Sequence, residues 1–127
     1  MKARTLPLVS AVIAGGFDEQ KTNTIKDVCT RFGAKLTAVQ DTDGGSRIKT
    51  LLTGRHEGNE PLIKEEFLIM NLGAGASAFI DALKDKGVIV PLKAVVTLTS
   101  QEWTVNQLVT ELKEEHRIFS EGRAHNG

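Results

Sequence analysis

Twice in this chain a short apolar run ends at glycine and is followed by an amphipathic stretch that itself stops at glycine. The first instance is Leu8–Ala14, then Gly15 and Gly16, then Ile25, Val28, Cys29 and Phe32 before Gly33. The second is Phe67–Leu72, then Gly73, then Phe79, Ile80 and Leu83 before Gly87. A short run with little polar alternation reads as a buried strand, whereas apolar spacings of three and four place one stripe of a helix against a sheet. Each unit is followed by a further strand and helix. Leu36–Val39 is extended and precedes a helix carrying Ile48, Leu51 and Leu52 up to Gly54, while Val88–Thr99 is extended and precedes a helix carrying Val105, Leu108, Val109 and Leu112.

This order predicts an α/β fold of two tandem βαβα halves, about 6–54 and 66–119, forming a four-stranded sheet covered by helices. A ferredoxin-like α+β arrangement with extra helices is the alternative. The halves align through Gly15 with Gly73, Gly33 with Gly87, and Ala38-Val39 with Ala94-Val95, which reads as a pseudo-repeat. The polar stretch 54–66 is the exposed connector between halves, and 121–127, with no apolar pattern, is a flexible tail.

Several ends are marked by their own chemistry. Asp18 is placed to cap the first helix. Before the last helix, Thr104 and Gln107 fit a capping box, with Trp103 and Leu108 as the hydrophobic staple around it. Within the last extended segment Leu92, Ala94, Val96 and Leu98 share one face.

At 127 residues the chain, 1–127, is read as a single domain with a core large enough to need neither disulfide nor structural metal. Sixteen basic and sixteen acidic residues leave no net charge, and with 5% aromatics and no Tyr the chain offers neither the field nor the stacking platforms of a nucleic-acid binder. Leu8–Ala14 is too short to span a bilayer. Cys29, the single cysteine, has no partner for a disulfide and sits on the core stripe of its helix, pointing to a reducing, cytoplasmic setting. No nucleic-acid or membrane partner is expected.

The run Pro91-Leu92-Lys93-Ala94-Val95-Val96-Thr97-Leu98-Thr99, followed by Trp103-Thr104 and a helix through Leu108, Glu111, Leu112, Glu115 and His116, resembles the bacterial domain-of-unknown-function family 3783. That family's pattern is a Pro-Leu-Lys-Ala strand, a Thr-x-Thr-Asn turn, a Trp-Thr helix start and a Glu-rich helix ending Glu-His. Ser100 stands where the pattern has Asn, and Leu72-Gly73-Ala74-Gly75 replaces a Gly-Phe turn. The resemblance supports the domain and implies no activity, and it marks Lys93, Thr97, Thr99 and Trp103 as candidate ligand-binding positions.

Gly73, Gly75 and Ser77 join that candidate set, because a glycine turn that follows a strand and opens a helix can hold an anion on backbone amides. A dinucleotide is not expected there, since Thr97 and Thr99 stand where an acidic residue would hold a ribose. Asp41-Thr42-Asp43-Gly44 reads as a solvated turn: it fails as an EF-hand and only superficially imitates a phosphatase nucleophile loop. His56, His116 and His125 are scattered without ligand spacing, so neither metal nor cofactor is expected. No catalytic constellation is visible, and the sequence leaves enzyme activity undecided.

The function expected from these features is a non-enzymatic binding or regulatory module that self-associates as a homodimer, covering an open sheet edge across a two-fold axis. The alternative is a small-molecule or anion carrier, or a small enzyme, with its site at four strand-end loops: Gly15–Asp18, Asp41–Ser46, Gly73–Ser77 and Thr99–Trp103. An all-parallel sheet would gather those loops at one end.

Overall fold

The computed structural model describes residues 10–126, with side-chain burial assigned through Ile118. Its elements follow the order β1 (Ala11–Gly15), α1 (Glu19–Arg31), β2 (Lys35–Ala38), α2 (Ile48–Leu52), β3 (Phe67–Asn71), α3 (Ala76–Asp85), β4 (Leu92–Val95) and α4 (Val105–Asn126). Short 3-10 turns at Gly73–Gly75 and Ser100–Glu102 precede α3 and α4. Leu8 and Val9, read as the start of the first strand, lie outside the described residues.

The four strands form one sheet in the order β2-β1-β3-β4. β1 pairs parallel with β2, and β3 parallel with β4, while the central pair β1–β3 is antiparallel, with Ile13 opposite Ile69. Each half is thus a parallel strand pair joined by a helix, and the halves meet back to back. Helices lie on both faces, which sets the fold apart from the ferredoxin-like alternative. Ala11, Ile13, Phe67 and Ile69 face α2 and α4 in one apolar cluster; Val12, Ala14, Leu68 and Met70 face α1 and α3 in the other. Adjacent residues of β1 and β3 therefore enter different cores, the physical cause of their continuous apolar runs. On the second face Phe32 meets Phe79 edge to face, with ring centroids 5.5 Å apart.

The expected punctuation is present. The Asp18 carboxylate accepts from the Lys21 amide at 2.8 Å. Gly33, Gly54 and Gly87 all have positive φ. After Gly33 the Ala34 amide reaches back to the Cys29 carbonyl, and after Gly87 the Val88 amide reaches the Leu83 carbonyl, the longer-range bond of a Schellman helix end. Thr104 and Gln107 exchange both bonds of the capping box, at 2.8 and 3.2 Å.

Two boundaries differ from the sequence reading. β4 is confined to Leu92–Val95, because the Thr97 amide bonds to Ser100 Oγ and the Ser100 amide to Thr97 Oγ1, turning the chain away from the ladder. Leu98 consequently leaves the face it was expected to share and is 44% exposed. α4 continues through most of the segment read as a flexible tail, to Asn126, since a helical ladder needs no buried face and no proline interrupts it. The alignment of the halves also moves by one residue. Val39 and Val96 make the equivalent bonds, to the carbonyls of Ala14 and Met70, so Val39 corresponds to Val96 and not to Val95.

That correspondence continues beyond the sheet. The Ile48 amide bonds to the Trp103 carbonyl and the Val105 amide to the Ser46 carbonyl, both at 2.9 Å, around an antiparallel Arg47–Thr104 bridge. The starts of α2 and α4 are thereby tied together over the centre of the sheet.

Candidate functional site

Because β1 and β2 run opposite to β3 and β4, the four strand-end loops do not gather at one end. Those after β1 and β2 share one end of the sheet, and those after β3 and β4 share the other. The alternative expectation of a four-loop site is corrected in that respect.

At the first end, Gly16–Phe17 and Val39–Asp41 meet the connector at residues 61–66 around a crevice of about 840 Å³. Close backbone approach shapes it. Gly16 has φ +81°, and a Cβ there would lie 2.0 Å from the Glu65 carbonyl oxygen; a Cβ on Gly44 would lie 2.2 Å from that of Pro61. The connector is exposed, as expected, but it is also strapped down. Its Leu62 amide bonds to the Asp41 carbonyl, its Ile63 amide to Asn106 Oδ1, and Asn106 Nδ2 donates to the Pro61 carbonyl. Lys21–Glu66 and Lys113–Glu65 ion pairs, each 3.1 Å, tie its end to α1 and α4.

Asp43 lies beneath this connector, fully buried rather than in a solvated turn. Its Oδ1 accepts from Ser46 Oγ at 2.7 Å, and its Oδ2 accepts from the Gln40 amide at 2.7 Å and from His56 Nδ1 at 2.6 Å. Burial alone would raise its pKa; these three donors outweigh that cost and hold the carboxyl below its ordinary value. An ionised carboxylate only accepts, so Nδ1 carries a proton in this contact. Ser46 Oγ in turn accepts from the amides of Glu57 and Gly58. Glu57 clasps Arg47 through its backbone amide and guanidinium, which lowers its pKa to about 2. The serine is bonded to the aspartate and not to the histidine, so the cluster lacks the relay of an activated nucleophile. It functions as a clamp between the β2–α2 loop and the connector. Ser100 occupies the matching position of the second half, accepting the Thr97 amide as Asp43 accepts that of Gln40.

The candidate residues of the second half do not assemble into one cradle. Gly73 has φ +57° with open space around its missing side chain, Gly75 lies at the start of α3, and Ser77 is exposed on the first turn of that helix. Lys93 is exposed on edge strand β4 and donates from Nζ to the Val90 carbonyl at 3.0 Å. Thr97 is committed to the turn with Ser100, and Thr99 opens the 3-10 turn before α4. Trp103, partly buried, packs against the same apolar cluster as Leu108, as the staple requires. Its remaining surface lines a cleft of about 500 Å³ with Glu60, Asn106, Gln107, Thr110 and Glu111.

Sequence reasoning missed Asp43, Ser46, His56 and Asn106. The Asp-x-x-Ser spacing is a local turn signal, whereas His56 and Asn106 reach their partners only through the connector's path.

Among the described residues no group of three His, Cys, Asp or Glu side chains could hold a metal ion, and no helix is long and apolar enough to cross a membrane. No curated protein and no solved structure matches the chain. Residues 76–119, from α3 into α4, match the family model described as Domain of unknown function (DUF3783), the family that the Pro91–Thr99 and Trp103–His116 motifs resemble.

Proposed function

We propose that the protein is a non-enzymatic binding or regulatory module of the bacterial cytoplasm that associates with a second copy of itself along β4. One observation carries the reading. Of the four large apolar side chains that are exposed among the described residues, Ile89, Val95 and Leu98 flank or lie on this edge strand, at 69%, 49% and 44% exposure. An edge strand presents unpaired backbone groups, and apolar side chains beside them favour pairing with another strand over solvation. The absence of a nucleophile–base pair in the Asp43 cluster supports a non-catalytic role, and the lone buried thiol of Cys29 suits a reducing compartment. Light scattering at micromolar concentration is expected to give twice the chain mass, and the Val95→Lys, Leu98→Lys double variant the mass of one chain. A monomeric parent protein overturns the reading.

A second reading, a carrier of a small molecule or anion, is favoured by the crevice at the ends of β1 and β2. Its volume falls within the usual range for ligand sites, and its position outside the carboxyl ends of parallel strands is where open α/β sheets bind ligands. A thermal-shift series with nucleotides, inorganic phosphate and common metabolites is expected to raise the melting midpoint with one of them. An unchanged midpoint across the series removes this reading.

A further inference from the structure

The cleft at Trp103 has a lining that the capping and staple roles of its residues do not explain. Gln107, Thr110 and Glu111 share one face of the start of α4, as spacings of three and four require, and Trp103, on extended backbone just before that helix, lines the same cleft. Across from them stands Glu60 of the connector, whose Oε2 accepts from Asn106 Nδ2 at 3.1 Å and is thereby held in place. Glu111 has no ion-pair or hydrogen-bond partner among the described residues. The lining thus presents part of an indole, one fixed carboxylate and one free carboxylate, with amide and hydroxyl groups between them and no Lys, Arg or His. A ring face attracts a cation through its quadrupole, best of all when the ring is Trp, and guanidinium groups both stack on such faces and pair with carboxylates.

We infer that this cleft is a binding site for a guanidinium group, stacked on Trp103 and paired with Glu60 and Glu111. An anionic ligand is disfavoured by both carboxylates, and a purely apolar one leaves them desolvated without a partner. The site is independent of the β4 edge and of the crevice beside Gly16. It gives the Trp-Thr helix start of the family motif a role in addition to the structural one.

Trp103 is the only tryptophan and the chain has no tyrosine, so emission excited near 295 nm reports this cleft alone. Titration with N-acetyl-arginine amide is expected to change that emission saturably. The neutral isostere N-acetyl-citrulline amide should leave it unchanged. Free arginine in a parallel titration distinguishes sources of the same chemistry. Tighter binding of the amide points to an arginine within a polypeptide, and tighter binding of the free amino acid points to a small metabolite. Glu111→Gln is expected to weaken binding about tenfold, the loss of one close charge pair and its hydrogen bond, while leaving the thermal midpoint in place. Trp103→Leu keeps an apolar staple and should abolish the heat of binding in calorimetry. Binding of citrulline as tight as that of arginine, no saturable response to any guanidinium probe, or undiminished binding by Glu111→Gln overturns the inference.

Discussion

At the scale of single residues, Asp43 shows how a side chain that reads as loop polarity becomes structural. It is fully buried, yet each oxygen is satisfied, and the network joins residues thirteen apart in the chain. Replacing one buried acceptor leaves its donors facing a group that cannot receive them, so Asp43→Asn is expected to lower stability by about 1–3 kcal/mol, measured by urea unfolding at pH 7. The same network sets the acid response. Folding lowers the pKa of Asp43 and that of Glu57, the latter to about 2. Groups held lower in the folded than in the unfolded chain stabilise fully above the ordinary carboxylate range and lose that contribution as pH falls through their folded values. Stability is therefore expected to decline from about pH 4 downward, toward the value near 2 at which Glu57 takes its proton. Asp43→Asn should flatten that decline. An identical acid profile for both proteins counts against the assignment. Local partners were legible at this scale: Asp18 and the Thr104–Gln107 pair bond within three residues, so their spacing alone declares them. His56 has no such signature, because its partner comes to it only when the connector folds back.

At the scale of elements, glycine both ends helices and permits close approach, and the two uses differ in consequence. Gly33 has φ +67° with nothing near the position of a Cβ, so Gly33→Ala is expected to cost about 1 kcal/mol, the strain of left-handed backbone alone. Gly16 adds to its positive φ a contact of 2.0 Å with a backbone oxygen of the connector, which no rotamer change relieves. Gly16→Ala should cost several-fold more in the same urea assay. Comparable losses at both positions would show that the connector yields easily. Both faces of β1 and β3 are covered, so their apolar runs identified them without ambiguity, whereas β4 was overextended. Val88 and Val90 are buried without belonging to the ladder, and the Thr97–Ser100 turn ends the strand early. Apolar content reports burial, and only backbone pairing defines a strand.

At the scale of the whole molecule, the antiparallel pairing of β1 with β3 joins the halves through five residue pairs, and each apolar cluster contains side chains from both. Neither half closes a core alone, so the chain is expected to unfold as one unit. Two residues that occur once make this testable. Cys29 lies in the first half, its thiol pKa raised to about 11 by burial, and Trp103 in the second. Thiol labelling after urea jumps and tryptophan emission should give the same midpoint, and separated midpoints would mean that the halves are independent. The sequence by itself determined the alternation of strand and helix, most helix ends and the apolar content of both cores, since each is written in neighbours three or four residues apart. Only the tertiary structure decided the direction of the second strand pair, and with it the separation of the four loops, the burial of Asp43 and the opening at Trp103. Those depend on which strands pair across the centre of the sheet and on where the connector lies, and the free energy that settles both comes from contacts between residues distant in the chain.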